Sequence, residues 1–157
     1  MSSPSNTLPA LLLLLLFLHL SLGRPSNSPS AYEILEGFGF PKGILPEGVI
    51  SYQLDEDGGF QVLLPCDCEF RVEGEGYLLK YARRITGKVK SGQLKELNGV
   101  SVRVLVVWFG IKEVVRSGTD LYFYVGPLSA SFPLANFEEC PKCSCGSVCS
   151  TQMVMDS

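Results

Sequence analysis

The sequence predicts a mainly β protein, an antiparallel β-barrel or sandwich of about seven to nine strands with one short N-terminal helix. Three observations predict this class. Apolar and polar residues alternate with a period of two over most of the chain. Clusters of Gly, Asn, Asp and Ser separate the alternating runs at hairpin spacing. No long helical pattern lies between the strands, which argues against a Rossmann or thioredoxin fold.

Residues 1–23 have the pattern of a secretory signal peptide. A polar opening leads into an apolar run from Ala10 to Leu20, and the small residues Ser21 and Gly23 form a cleavage site. The run is shorter than the roughly 20 residues of a membrane-spanning helix. We therefore expect a secreted, extracellular protein of the apoplast or cell wall, without a transmembrane anchor.

The expected chain divides into three parts after the signal peptide. Residues 24–29 form a short polar leader, predicted to be disordered. Residues 30–137 form the β domain, and residues 138–157 form a cysteine-rich tail that disulfides attach to the domain.

The predicted helix starts at a capping box. Ser30 and Glu33 have the Ser-x-x-Glu spacing, in which each side chain bonds the backbone N–H of the other residue. Leu35 contributes to an apolar stripe, Gly37 ends the helix, and Pro41 prevents its continuation.

The first predicted strands form a hairpin. Residues 50–54 and 60–64 alternate with period two on either side of the turn sequence at residues 55–59. A third strand is predicted at residues 68–73.

A long strand, or a bent pair of strands, is predicted from Tyr77 to Val89. Its alternation breaks at Arg83, and a β-bulge at Arg83-Arg84 restores it. Without that bulge, Arg83 would lie on the apolar face of the strand. Ser91-Gly92 then forms a turn.

The remaining predicted strands follow from strong turn sequences. A short strand at residues 94–97 precedes Asn98-Gly99, the strongest two-residue hairpin pattern in the chain. Residues 100–115 form one long strand, which is apolar on both faces in its middle and therefore central. A turn at residues 116–120 leads to the strand at residues 121–125.

The six cysteines fall into two groups, and we expect disulfides to join them. In the secretory pathway such cysteines are typically oxidised. Cys66 and Cys68 are each expected to pair with a tail cysteine, and the other two tail cysteines with each other. The tail cysteines are Cys140, Cys143, Cys145 and Cys149. Two alternatives are a redox-active C-x-x-C at Cys140 and Cys143, and a four-thiolate zinc or copper site.

Little in the sequence indicates catalysis. The chain has a single histidine, His19, and it lies within the signal peptide. The secreted protein would thus lack the usual general base and His metal ligand. No catalytic, metal-ligating or cofactor-binding residue is assigned, and we do not expect an enzyme. The net charge of −3 argues against nucleic acid as a partner.

Four residues are candidates for ligand binding. An inward Arg83 could neutralise the head group of an amphiphile, and Trp108, Tyr122 and Tyr124 could line the same site. A basic cluster could instead bind an anionic polymer. It comprises Lys80, Arg83, Arg84, Lys88, Lys90 and Lys95.

Several short strings occur in an order that resembles a plant protein family known only as domain of unknown function 538. The strings are Tyr32-Glu33-Ile34-Leu35, the run from Gly39 to Val49, Ile85-Thr86-Gly87-Lys88-Val89, Leu97-Asn98-Gly99-Val100, and Ser131-Phe132-Pro133. The resemblance extends from about Tyr32 to Phe137. It implies a small barrel-like domain, often secreted, with a fold likened to the lipid-binding domains of bactericidal permeability-increasing proteins.

These expectations favour a secreted, non-enzymatic binder of an amphipathic or lipid-like molecule, with a role in stress or defence. The alternative is a cell-wall-associated protein that binds or hydrolyses an acidic, pectin-like polysaccharide through the basic cluster. A third alternative is a stress-induced structural or interaction protein without a small ligand. The family resemblance supplies no site residues to decide among them.

Overall fold

The computed structural model describes residues 28–72 and 76–143. The predicted signal peptide, Cys145 and Cys149 lie outside these residues. The described part contains one α-helix and nine strands. Their bounds are α1 Ala31–Gly37, β1 Ser51–Leu54, β2 Gly59–Leu63, β3 Cys68–Arg71, β4 Leu78–Lys90, β5 Gln93–Val104, β6 Val107–Gly110, β7 Glu113–Ser117, β8 Asp120–Val125 and β9 Leu128–Pro133. Short 3₁₀ helices lie at Lys42–Ile44 and Leu134–Phe137.

The N-terminal helix starts as predicted. The Ser30 hydroxyl accepts from the Glu33 N–H at 3.2 Å, and the Glu33 carboxylate accepts from the Ser30 N–H at 2.7 Å. The bond from the Ser30 N–H to this carboxylate, together with one from the Ser30 hydroxyl at 2.8 Å, lowers the pKa of Glu33. A helix of seven residues depends on packing. The Tyr32 hydroxyl donates to the Pro46 carbonyl at 2.8 Å, and Ala31 is buried.

All nine strands belong to one antiparallel sheet, which confirms the predicted class. Seven strands follow the order β1-β2-β4-β5-β7-β8-β9, while β3 pairs with β4 and β6 with β5. The predicted first hairpin is β1–β2. The sheet stays open, because β1 and β9, the strands at the two ends of this order, do not pair with each other.

The β4–β5 hairpin belongs to both halves of the sheet. Near its open end β4 pairs with β3 and β5 with β6, and nearer its turn β4 pairs with β2 and β5 with β7. The register shifts between these halves, first between Tyr81 and Thr86 and again between Thr86 and Lys88. The first irregularity confirms the bulge predicted at Arg83-Arg84.

Glycine permits the bend of this hairpin. Gly99 has φ +89°, and a Cβ there would collide with the Arg84 carbonyl oxygen. At Gly87 a Cβ would lie 2.9 Å from the Lys95 carbonyl oxygen and 3.0 Å from the Phe60 ring. At Gly87 and Gly99 the backbones of β4 and β5 therefore approach each other more closely than a residue with a Cβ would allow.

Two predictions in this region are wrong. Asn98-Gly99 is not a hairpin turn but an interior part of β5, where the positive φ of Gly99 serves the bend. The single strand predicted at residues 100–115 is instead the end of β5, then β6 and β7. The chain reverses at Leu105-Val106, a sequence without turn-forming residues.

A disulfide joins the tail to the sheet, as expected. Cys68, fully buried at the start of β3, is bonded to Cys143. Cys66 is also disulfide-bonded.

Cys140 does not follow the prediction that all six cysteines form disulfides. Its thiol is free and lies 3.5 Å from the Lys42 carbonyl oxygen. Because the Cys68–Cys143 bond already uses the neighbouring cysteine of the C-x-x-C pair, these two residues do not form the redox-active dithiol considered above.

Removal of the Cys68–Cys143 disulfide should destabilise the fold. The bond closes a span of 75 residues, for which loop-closure entropy predicts at most about 4 kcal/mol, because the disulfide of Cys66 also restricts the unfolded chain. We expect Cys68→Ala/Cys143→Ala to lower the free energy of unfolding in urea by about 1–4 kcal/mol. Cys140→Ala is the control and should change it by less than about 0.5 kcal/mol. Equal effects of the two changes would contradict this assignment.

Tyr81→Phe should reduce the stability of the fold near neutral pH. It should also reduce the further loss of stability that occurs as the pH rises above about 10. The buried Tyr81 hydroxyl donates to the Ile44 carbonyl at 2.9 Å, and its loss should cost about 1–3 kcal/mol. Burial raises the pKa of Tyr81 in the folded protein. Its contribution is therefore complete below the unfolded pKa of about 10 and declines as pH rises beyond it.

Urea unfolding near neutral pH and above about pH 10 measures both effects. The variant should lose less stability with rising pH than the wild type does. Some dependence should persist, because burial also raises the pKa of Tyr32. Tyr122→Phe, on an exposed tyrosine, is the control, and a steeper alkaline loss in Tyr81→Phe than in wild type would refute the interpretation.

Candidate functional site

An apolar cavity of about 340 Å³ lies within the curve of the sheet. The sheet supplies most of its wall, and α1 and the connector that follows it cover one side. Representative lining residues are Leu35 and Phe38 beside the helix, Val62 on β2, Ile85 on β4, Leu97, Val100 and Val102 on β5, and Phe123 and Val125 on β8. The volume lies in the range of about 300–1,000 Å³ typical of small-molecule sites.

Strand alternation directs these side chains into the cavity. On β8, Phe123 and Val125 line it, whereas Tyr122 and Tyr124, which alternate with them, are exposed. Neighbouring strands are in phase, because Phe123 pairs with Val114 on β7 and with Ala130 on β9, and both partners also line the cavity. The apolar face of the sheet is therefore continuous around the cavity.

The described lining residues include no charged side chain. Their polar groups are few: Tyr52, Gln53, Tyr77, Tyr81, Ser129 and Asn136. Two of these hydroxyls already have partners. Tyr52 donates to the Pro29 carbonyl at 2.6 Å, and Tyr81 donates to the Ile44 carbonyl at 2.9 Å. The site thus offers a large apolar surface and a small number of uncharged polar contacts.

The exposed part of the lining locates the mouth of the cavity. Every described lining residue classed as exposed lies on β1, on β9 or on the 3₁₀ helix that follows β9. These residues are Gln53, Leu54, Leu128, Ser129, Ala130 and Asn136. Since β1 and β9 are the two ends of the strand order and do not pair with each other, the cavity opens where the sheet does not close.

None of the four residues predicted to bind a ligand lines the cavity. Trp108, Tyr122 and Tyr124 are 39%, 36% and 39% exposed, on the outward phase of β6 and β8. Arg83 is exposed because the bulge takes it out of the inward phase. Its backbone is anchored there, with the N–H donating to the Asp67 carboxylate at 2.7 Å and the carbonyl accepting from the Leu64 N–H at 2.7 Å.

The lining residues were missed because the sequence pattern marks them only as core. Leu97, Val102 and Phe123 occupy inward positions of alternating strands, as the side chains of a filled core would. A pattern of period two gives the face of each residue but not the distance to the opposite wall. The space between the walls depends on the curvature of the sheet and therefore on long-range pairing.

The basic cluster lies outside the cavity and is partly neutralised. Lys88 Nζ lies 3.7 Å from the Glu96 carboxylate, and Lys95 Nζ lies 3.7 Å from the Glu113 carboxylate. Lys88 and Lys95 are direct partners across β4 and β5. The two glutamates reduce the repulsion between these paired lysines and the positive field of the cluster.

Among the described residues, no group of three or more His, Cys, Asp or Glu side chains could hold a metal ion. None of the described helices is long and apolar enough to cross a membrane.

Comparison with known proteins places the chain in a family. A curated relative, "Uncharacterized protein At5g01610" of Arabidopsis thaliana, is 27% identical over 95 residues, which cover 60% of this chain and 55% of the relative. The chain thus matches about half the length of that protein. A protein-family profile described as "Protein of unknown function, DUF538" matches residues 31–138. That match covers most of the chain and all nine described strands, and the chain therefore belongs to the DUF538 family.

Proposed function

We propose that this protein is a secreted, non-enzymatic binder that holds the apolar part of an amphipathic molecule in the cavity. The observation that carries the proposal is the continuous apolar wall of a cavity of about 340 Å³ with an opening between the sheet edges. The Cys68–Cys143 disulfide is compatible with an oxidising compartment.

The chemistry of the wall supports an apolar guest. Burial of apolar surface contributes about 25 cal/mol per Å². A bound acyl chain or terpenoid would contact this wall and remove its own apolar surface from water. An ionised group would lose its hydration without finding a charged partner among the described lining residues.

The position of the mouth supports an amphipathic molecule rather than a wholly apolar one. The exposed lining residues include the polar side chains Gln53, Ser129 and Asn136. A head group at the mouth would remain hydrated and could form hydrogen bonds with these side chains, while the chain of the ligand lies inside.

The alternative of an acidic polysaccharide has less support. Its proposed surface, the basic cluster, includes two lysines with acidic partners and forms no described cleft with the cavity. A hydrolytic role would require two carboxyl groups about 5–10 Å apart at the bound sugar. The described cavity lining contains neither Asp nor Glu.

Ala130→Trp should block uptake of an apolar probe. Ala130 is exposed on edge strand β9 and lines the mouth, so an indole there would occupy the entrance without replacing a buried side chain. We expect the affinity for the fluorophore N-phenyl-1-naphthylamine to fall by about tenfold or more. The measurement is a fluorescence titration of the oxidised protein.

Ser131→Trp is the matched control. Ser131 is the next residue of the same strand and is also exposed, but it does not line the cavity. It should leave probe affinity unchanged, and thermal unfolding should verify that both variants fold. Equal probe affinity in wild type, Ala130→Trp and Ser131→Trp, or no probe binding by the wild type, would refute cavity binding.

A further inference from the structure

The turn between β5 and β6 is a strongly exposed apolar feature. Leu105 and Val106 form this two-residue turn and are 89% and 85% exposed. Val107, directly after them, is 51% exposed. These three residues, here named the apolar tip, project at one end of the sheet.

The conformation of the turn does not explain its apolar sequence. Leu105 has φ +57°, one of two positive values among the described non-glycine residues. At such a position Gly, Asn or Asp is favoured, because a Cβ crowds the backbone. The chain thus has leucine at a position where glycine or a polar residue would favour both the turn conformation and the solubility of the protein.

The outward face beside the apolar tip carries arginine and tryptophan. In adjacent strands Arg71 is paired with Leu78, Leu78 with Arg103, and Arg103 with Trp108. Both arginines are exposed, and neither has an acidic ion-pair partner among the described residues. Tryptophan favours the boundary between lipid and water, and arginine binds phosphate through a planar fork of donors.

We propose that the apolar tip docks this protein on the surface of a phospholipid bilayer. Leu105 and Val106 insert among the upper acyl segments, Trp108 lies at the interface, and Arg103 binds lipid phosphate. Membrane docking goes beyond the proposed ligand binding and does not depend on an occupied cavity. Since Val104 of the same hairpin lines the cavity, docking brings one end of the cavity close to the membrane.

Size and charge favour lipid over a protein partner. A two-residue turn covers far less than the roughly 1,200–2,000 Å² of a stable protein interface. A bilayer needs no matching surface and accepts a small apolar insertion. Because the whole chain has a net charge of −3, we expect the local arginines to give only a moderate preference for anionic lipid.

The test compares wild type with Leu105→Gly/Val106→Asn. Glycine suits the positive φ at the first position of this turn and asparagine the second, so the variant retains the hairpin while it loses the apolar side chains. Binding is measured by flotation with phosphatidylcholine vesicles, with and without phosphatidylglycerol. The chain's single tryptophan, Trp108, provides a second readout through its emission shift and quenching by brominated lipid.

We expect the variant to bind these vesicles at least about tenfold more weakly, with loss of the emission shift. Ile50→Asn removes another exposed apolar side chain, 58% exposed before β1, and should bind like wild type. Unchanged vesicle binding by the tip variant, or no vesicle binding by the wild type, would overturn the proposal. So would a tip variant that differs from the wild type only by losing self-association of the protein. A titration with N-phenyl-1-naphthylamine in the absence of vesicles distinguishes loss of membrane docking from loss of ligand binding in the cavity. The tip variant should bind this probe as the wild type does.

Discussion

The bend in the β4–β5 hairpin is the constraint on which the rest of the structure depends. This hairpin is the only element that pairs with strands of both halves of the described sheet. Its bend requires backbone contact between Gly99 and Arg84 and between Gly87 and Lys95, closer than a side chain would permit. The curvature brings the faces of β2 and β8 around one volume, and the same register shift moves Arg83 out of it. The cavity and the outward position of Arg83 thus have one origin.

The fold leaves its sheet open and stabilises it by other means. Closure would pair the edges β1 and β9, yet these edges are where the exposed lining residues lie. The helix, the connector and the Cys68–Cys143 disulfide supply contacts that do not require edge pairing. The buried hydroxyl of Tyr81 attaches the connector to the sheet without adding charge to the cavity. An open edge with an apolar interior suits a binding protein better than a maximally stable one.

Features that depend on neighbouring residues could be predicted from the sequence, whereas features that depend on long-range strand pairing could not. The Ser30–Glu33 capping box, the first hairpin and the bulge near Arg83 follow from residue types and spacing, and all three are confirmed. The hairpin predicted at Asn98-Gly99 was wrong, because the same residue pair also allows a bend within a strand. The turn at Leu105-Val106 was not predicted, because it lacks the residues that usually form turns. The residues that line the cavity could not be identified from the sequence, since Val102 and Phe123 have the pattern of filled core and only the sheet curvature separates the two walls. Tyr122 and Tyr124 are a different case, because their alternation with Phe123 and Val125 already indicates the outward face.

The central claim is that the inward apolar face holds a ligand, and methyl NMR tests it most directly. Labelled methyl groups of Leu97, Val100 and Val102 would report on the cavity wall, and those of Val106 and Val107 on the outer tip. With lysophosphatidylcholine below its micelle concentration, the account predicts intermolecular NOEs between the acyl chain and the three cavity residues. NOEs confined to Val106 and Val107, or none to any of the five residues, would contradict the account.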